Sequence, residues 1–484
     1  MKKFIKIFLC VVLIIVVATA IIVGPYAISF LPFKTDKDFD MHIYDSRNPV
    51  YTNGKHKTFT HSEIDKNTPG QKYTIDSPSV SWFNYFGISY STDTYFKGTI
   101  CYSTGFTEKT EEFFLEPSCE DAFAETTEYK EFYSFIDNCL EGTKANKLKW
   151  VTFEPLDENK SGVINIQKLA LFNREIPKQE IFIENGTHKL GIDLLWGGAL
   201  SYLEDLDSNV QAITVDGKIK VDSNASERYN AKAVNSNVNL INRNDTGRLV
   251  QQSYYGTLDY DFGVYMDNDW RYNPVQGGNQ FNDASKIVDL RVTETEIYIK
   301  CRPLDWAKEK EYITPSYMEA TYSLENGAVH TKCRFVDFSG YPEADCTQEI
   351  PAFYCIEPLN NFVYYGGNKP WTNGKLTSEP NLIFWPDAGY PNFYSKENWA
   401  ALTGEFKDSF GIGVYVDNEE AFLAGVFERE TTTNEDPSRD SATSYIAIVK
   451  NRTFKSFEPY EYEYYLATGN TSEILNTFKN IDNK

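Results

Sequence analysis

The densest run of hydrogen-bonding and aromatic side chains lies between Asn235 and Asn282. It sets Asp245 and Arg248 around a Thr-Gly turn, then Gln251, the neighbours Tyr254 and Tyr255, and finally Trp270, Asn273 and Gln276. Fixed acceptors, a planar five-donor cation and flat aromatic faces are the mixture that sugar hydroxyls and pyranose rings require. Tyr254, Tyr255 and Trp270 can stack on a ring face, and Asn273 and Gln276 can take pairs of hydroxyls. The competing structural reading pairs Asp245 with Arg248 and with nearby backbone. Sugar handling therefore rests on one expectation, that these stretches converge on a single hollow.

Hydrolysis of a glycosidic bond needs two carboxyls, one protonated and one ionised, at the same bond. Glu349, Glu397 and Asp245 are the catalytic candidates. Glu349 in Gln348–Tyr354 and Glu397 in Lys396–Ala401 adjoin apolar or aromatic residues that could raise a carboxyl pKa. Trp371 and Trp399 are candidate sugar platforms, with a core role the alternative for each. In the stretch Ala328–Val336, alternation puts His330 and Arg334 on one face with Lys332, and apolar residues on the other. That face is either an ordinary wet sheet surface or a cationic strip suited to a uronate. In the second case Tyr254 or Tyr255 would serve as base in an elimination. Hydrolase, non-catalytic glycan binder and lyase thus stay open, in that order. Phosphate-loop, GxSxG, HExxH and EF-hand patterns are absent, as is any CxxC pair, so neither cofactor nor metal is expected.

The elements that must position these residues read as strands. Aromatics make up 15% of the chain, with 33 Tyr and 33 Phe against 4 Met, which favours sheets over a helical bundle. Short aromatic strands are expected at 82–90, 95–102 and 147–153, with strand or short-helix elements at 112–117 and 131–137. Later, 287–292 with 296–301 reads as a hairpin. So does 317–324 with 328–336, around Asn326-Gly327. Further strands fall at 411–416, 421–427 and 460–466. The fold class is all-β, with an accessory jelly-roll-like sandwich at 77–178 and a large antiparallel supersandwich at 179–484.

A net charge of −22 opposes phosphate backbones, so nucleic acid is not expected as a partner, while neutral sugars, calcium and cationic partners remain compatible. Lys2, Lys3 and Lys6 precede an uncharged run from Ile7 to Phe33. Residues 1–33 read as a single transmembrane signal anchor, with the lysines inside and the rest of the chain outside the cell. Secretion after cleavage near Ala18-Thr19-Ala20 is the alternative. Residues 34–76 read as a polar stalk. Eight irregularly spaced cysteines do not form a disulfide framework, though a bridge among Cys101, Cys119 and Cys139 is conceivable.

Trp196–Ser201, Asn242–Arg248, Asn273–Gly278 and the ending Phe457–Tyr465 together resemble galactose-mutarotase-like sugar proteins. The resemblance covers roughly residues 184–484. It implies a β-supersandwich whose Asn…Gly-Arg stretch, here ending at Arg248, lines the sugar cleft. The chain departs from that pattern in lacking a pair of histidines in a His…Tyr-Phe-Asn setting. Mutarotation is therefore not the expected activity, and hydrolysis of a glycan leads.

Overall fold

The computed structural model describes residues 49–53, 57–59, 71–74, 83–120, 128–142, 144–156, 164–255, 272–308, 313–325, 327–383, 393–427 and 435–483. Its paired strands are antiparallel, as an all-β chain rich in Tyr, Phe, Val and Ile should give. The expected anchor at 1–33 lies outside the described residues. Among the described residues, no helix is long and apolar enough to cross a membrane. The chain divides between Lys178 and Gln179 into two compact units.

The first unit is a sandwich of five and four strands. One sheet runs Pro49–Asn53, Ile164–Phe172, Tyr85–Thr92, Lys130–Phe135, with Lys57–Phe59 also on Ile164–Phe172. The other runs Gln71–Thr74, Lys147–Pro155, Phe96–Ser103, Glu108–Leu115. Three strands therefore come from the stretch read as a stalk. The two ambiguous segments, 112–117 and 131–137, both settle as strands. Phe113 joins the sheets, its ring centroid 5.3 Å from Phe86 and 5.4 Å from Phe132. Buried Arg174 lies over Tyr85 and Phe135, 4.8 and 4.7 Å from their centroids. Cys101, Cys119 and Cys139 are not joined by disulfides, so the conceivable bridge does not form. Cys119 instead contacts Ser91 Oγ at 3.6 Å.

The second unit is built on two large sheets. The ten-stranded sheet has the order Glu180–Glu184, His188–Asp193, Ala199–Asp205, Val250–Ser253, Ala344–Ile356, Thr443–Phe454, Ala421–Phe427, Phe393–Tyr394. Short strand Pro274–Val275 pairs with Val250–Ser253, and Leu304–Asp305 pairs in turn with Pro274–Val275. The nine-stranded sheet has the order Lys286–Val292, Glu296–Arg302, Ser316–Glu325, Ala328–Asp337, Tyr460–Asn470, Phe410–Tyr415, Trp399–Thr403, Asn361–Tyr364, Thr377–Pro380. Both expected hairpins are present, and Gly327 takes the positive φ of 75° that its turn demands.

Apolar faces of the two sheets meet in a common core. Phe353, Ile446 and Ile448 come from one side, and Ile299, Met318, Val329 and Phe335 from the other, all nearly fully buried. Tyr254 is wedged between the sheets, 4.6 Å from Phe335 and 5.2 Å from Phe454. Truncating a ring so placed costs about 3–5 kcal/mol.

The outer face of the nine-stranded sheet is divided. Helix Thr471–Asp482 covers one part, packing Ile474 and Phe478 onto Trp399, Ala401 and Tyr415. Its start is fixed by a capping box, in which Asn470 accepts from Ser472 N and Glu473 N while Glu473 accepts from Asn470 N. The other part carries a ladder of charges. Glu319 takes Lys300 at 3.2 Å and Arg334 at 3.0 Å, and Arg334 also takes Glu461 at 3.1 Å.

Candidate functional site

The outer face of the ten-stranded sheet collects the chemistry. Strand Ala344–Ile356 alternates Phe353 inward and Ala352 and Tyr354 outward, opposite Ala447 and Tyr445 on the neighbouring strand. Simple alternation would then turn Glu349 inward. A register shift between Glu349 and Ala352 supplies one extra residue, so Glu349 instead pairs with Val449 and faces outward. The same irregularity lies opposite Gln251–Ser253 on the other neighbour.

Glu349 is the centre of this group. Its Oε2 accepts from the Tyr255 phenol at 3.2 Å, and the Tyr445 phenol faces the same carboxyl. The rings of Tyr445 and Tyr354 lie 4.3 Å apart between centroids. Burial pushes the Glu349 carboxyl above the usual carboxylate range, against the lowering effect of the two phenols. Tyr445 and Tyr354 are themselves pushed up by burial first and by the nearby Glu349 charge second. Gln348, fully buried, clamps Tyr255 by its backbone. It accepts from Tyr255 N at 2.7 Å and donates to Tyr255 O at 2.8 Å.

Arg248 closes one side, near enough for its charge to act on Tyr354. Its guanidinium pairs with Asp245, donates to Ser441 O at 2.8 Å and lies 5.7 Å from the Phe427 ring centroid. Asp245 also accepts from Gly247 N at 3.0 Å and Arg248 N at 3.1 Å. The competing structural reading of this turn is therefore the observed one. Arg248 borders the site as a neutralised pair rather than as an open anion receptor. Gln251 is buried beneath, donating to Thr246 O and Arg248 O and accepting from Gly277 N at 2.7 Å.

Several expected site residues are placed elsewhere. Tyr254 and Tyr255, adjacent in sequence, point to opposite faces. Tyr254 belongs to the core, where its phenol donates to Gln252 at 2.8 Å. Asn273 and Gln276 are also interior, and Gln276 accepts from Gln252 N and donates to the Tyr322 hydroxyl. None of these three can stack on or hydrogen-bond a ligand at the surface. Trp270 lies outside the described residues.

Glu397 is 1% exposed and accepts from Trp371 N at 2.7 Å and Trp399 Nε1 at 2.9 Å. It fixes two tryptophans beside the C-terminal helix. Trp399 is fully buried there, in the core role that was its alternative, and partly buried Trp371 packs against the same cluster. His330 and Arg334 sit on the outer face of the other sheet. His330 bridges Glu325 and Glu463 and stacks on Tyr465 at 4.2 Å, and Arg334 is held by Glu319 and Glu461, so both already have carboxylate partners.

Sequence reasoning missed Tyr354, Tyr445 and Phe427. The signal was period-two alternation in Ala344–Ile356, Ala421–Phe427 and Thr443–Phe454, where these large rings fall on the side opposite the aliphatic core. Among the described residues, no cluster of three or more His, Cys, Asp or Glu is arranged to hold a metal ion.

No family model matches the chain. No curated protein matches it either. Solved structures do show similarity. One is a galactose mutarotase-like protein from Clostridium acetobutylicum, at 13% identity and a TM-score of 0.32, covering 60% of this chain and 95% of that one. A second is an α-galactosidase from Geobacillus stearothermophilus, at 11% identity and a TM-score of 0.33, covering 62% of this chain and 41% of that one. A third is a 4-α-glucanotransferase from Thermococcus litoralis, at 10% identity and a TM-score of 0.30, covering 60% of this chain and 37% of that one.

Proposed function

We propose that this protein binds carbohydrate on the outer face of its ten-stranded sheet and exchanges a proton with it through Glu349. The observation that carries the reading is the Glu349 carboxyl, pushed up by burial and shared with phenols among half-buried rings. A carboxyl raised in this way holds its proton more readily and can pass it to a ligand beside it. Tyr354 and Phe427 offer ring faces, and Tyr255 offers a phenol at the carboxyl. Uronate elimination fits poorly, because Arg248 and Arg334 are already held by carboxylates. A glycoside hydrolase remains the preferred enzyme class, acting outside the cell from a membrane anchor. The second reading is a non-catalytic glycan binder. It draws on Asp245, the other carboxylate acting on Tyr354, being committed to Arg248 and its own turn.

The deciding experiment incubates the protein with a polysaccharide panel and measures reducing ends. Hydrolysis predicts release by the wild type and a loss of about 100-fold or more in Glu349→Gln, with the fold intact. Binding without release would establish the second reading, and neither binding nor release would refute the proposal.

A further inference from the structure

The aromatic surface does not stop at Glu349. Following the outward-facing positions across the ten-stranded sheet, Phe182 stands on its first strand, Tyr202 on its third, Tyr354 on its fifth, Phe427 on its seventh and Tyr394 on its eighth. The two at the ends are the most open, Phe182 at 39% exposed and Tyr394 at 59%. Phe182 lies across the sheet surface because its cross-strand partner is Gly191. A Cβ there would come within 2.5 Å of the ring. Tyr202 meets Phe182 edge-on, with centroids 5.2 Å apart. At the usual strand spacing the two ends are separated by roughly 30 Å along the sheet, several sugar rings rather than one.

Two cations along this path are paired, and a third, Lys189, lies over the rings, its Nζ 5.0 Å from the Phe182 centroid and 5.8 Å from that of Tyr202. Arg243 reaches back to Glu180 at 2.5 Å and Asp193 at 3.6 Å, and Arg248 is held by Asp245. Glu204 accepts the Tyr202 hydroxyl at 2.5 Å. Ring faces beside two arginines that are already paired, on a chain of charge −22, suit an uncharged polar ligand better than an acidic one.

We infer that the ligand is a neutral sugar chain of several units laid across the strands, with Phe182 and Tyr394 as outlying platforms on either side of Glu349. This rests on the carbohydrate reading above and adds to it the length and charge of the ligand. A purely structural role for Phe182, covering Gly191, is the competing account.

Titration calorimetry of the full chain tests it, using neutral glucose, galactose and mannose oligomers of one to six units. In the series that binds, affinity should rise at least tenfold from one unit to five. Phe182→Ala and Tyr394→Ala should each remove roughly three- to tenfold of that gain, as loss of one stacking contact does, and leave the single sugar unchanged. Phe182→Tyr should restore it, which a mere glycine cover would not require. Tyr354→Ala should weaken every length. Affinity independent of length, or a gain untouched by both outlying substitutions, overturns the extended chain and leaves the single-sugar reading standing. Failure of every neutral sugar to bind overturns both.

Discussion

Glu349 illustrates how one extra residue in a strand changes the character of a side chain. Facing inward it would be a buried charge without a cation. Facing outward beside Tyr255 and Tyr445 it is a carboxyl whose protonated form the site prefers. That preference has a stability consequence with a definite sign. For a carboxyl raised on folding, the stabilisation is complete below the ordinary carboxylate pKa and is lost as pH rises through the folded value. Glu349→Gln, neutral at every pH, should therefore melt about 1–3 °C higher than the wild type at pH 8 and almost equally at pH 4. Thermal unfolding at the two pH values checks this, and an unchanged or lower melting point at pH 8 would remove Glu349 from the site. Tyr254 makes the complementary point. Its neighbour reaches the site, yet strand geometry sends Tyr254 into the core, where it serves packing.

At the scale of elements, the two outer faces of the second unit have opposite designs. The ten-stranded sheet sets buried Tyr445 and partly buried Tyr354 and Phe427 around one perturbed carboxyl. The nine-stranded sheet balances each charge against its cross-strand neighbour and lets a capped helix cover the rest. In that ladder, burial alone would raise Glu319, but Lys300 and Arg334 overcome it and hold the carboxyl at about 2. A depressed carboxyl contributes stability above its unfolded pKa, near 4.3, and loses it as pH falls toward 2. Glu319→Gln should cost roughly 1–2 kcal/mol at pH 7, the partial exposure of the ladder moderating the loss of a paired charge. The difference from wild type should vanish near pH 2. Chemical denaturation at both pH values measures it. A cost that persists unchanged in acid would mean that Glu319 acts by shape and not by charge.

For the whole molecule, the division at Lys178 and Gln179 separates two bodies, each with its own aromatic core. A unit whose apolar faces are satisfied internally can fold by itself. The fragment 179–484 should accordingly unfold in one cooperative transition and keep sugar affinity at Glu349, as seen by near-ultraviolet circular dichroism and calorimetry. A fragment that stays unstructured would show that the second unit borrows stability from the first. The negative charge of the chain belongs to this scale too, since it discourages acidic ligands whichever face they approach.

The all-β class, both hairpins and most strand positions were legible in the sequence because they are local. Alternation, β-branched and aromatic composition, and an Asn-Gly turn act within ten residues of one another. Glu349 and Arg248 were also reachable, as polar residues beside aromatic runs. Only the tertiary structure decided which candidates meet. The run from Asn235 to Asn282 looked like one site, but its strand and loops distribute Tyr254, Asn273 and Gln276 to the core between the sheets and Tyr255 and Arg248 to the Glu349 side of the ten-stranded sheet. Glu397 carried the same sequence signal as Glu349, an acid among aromatics, and became the hydrogen-bond anchor of two tryptophans. Composition announces that a carboxyl has apolar neighbours. Whether it is sealed among them or opened to a ligand depends on strand register and on which partner strand lies opposite, quantities set by residues a hundred positions away.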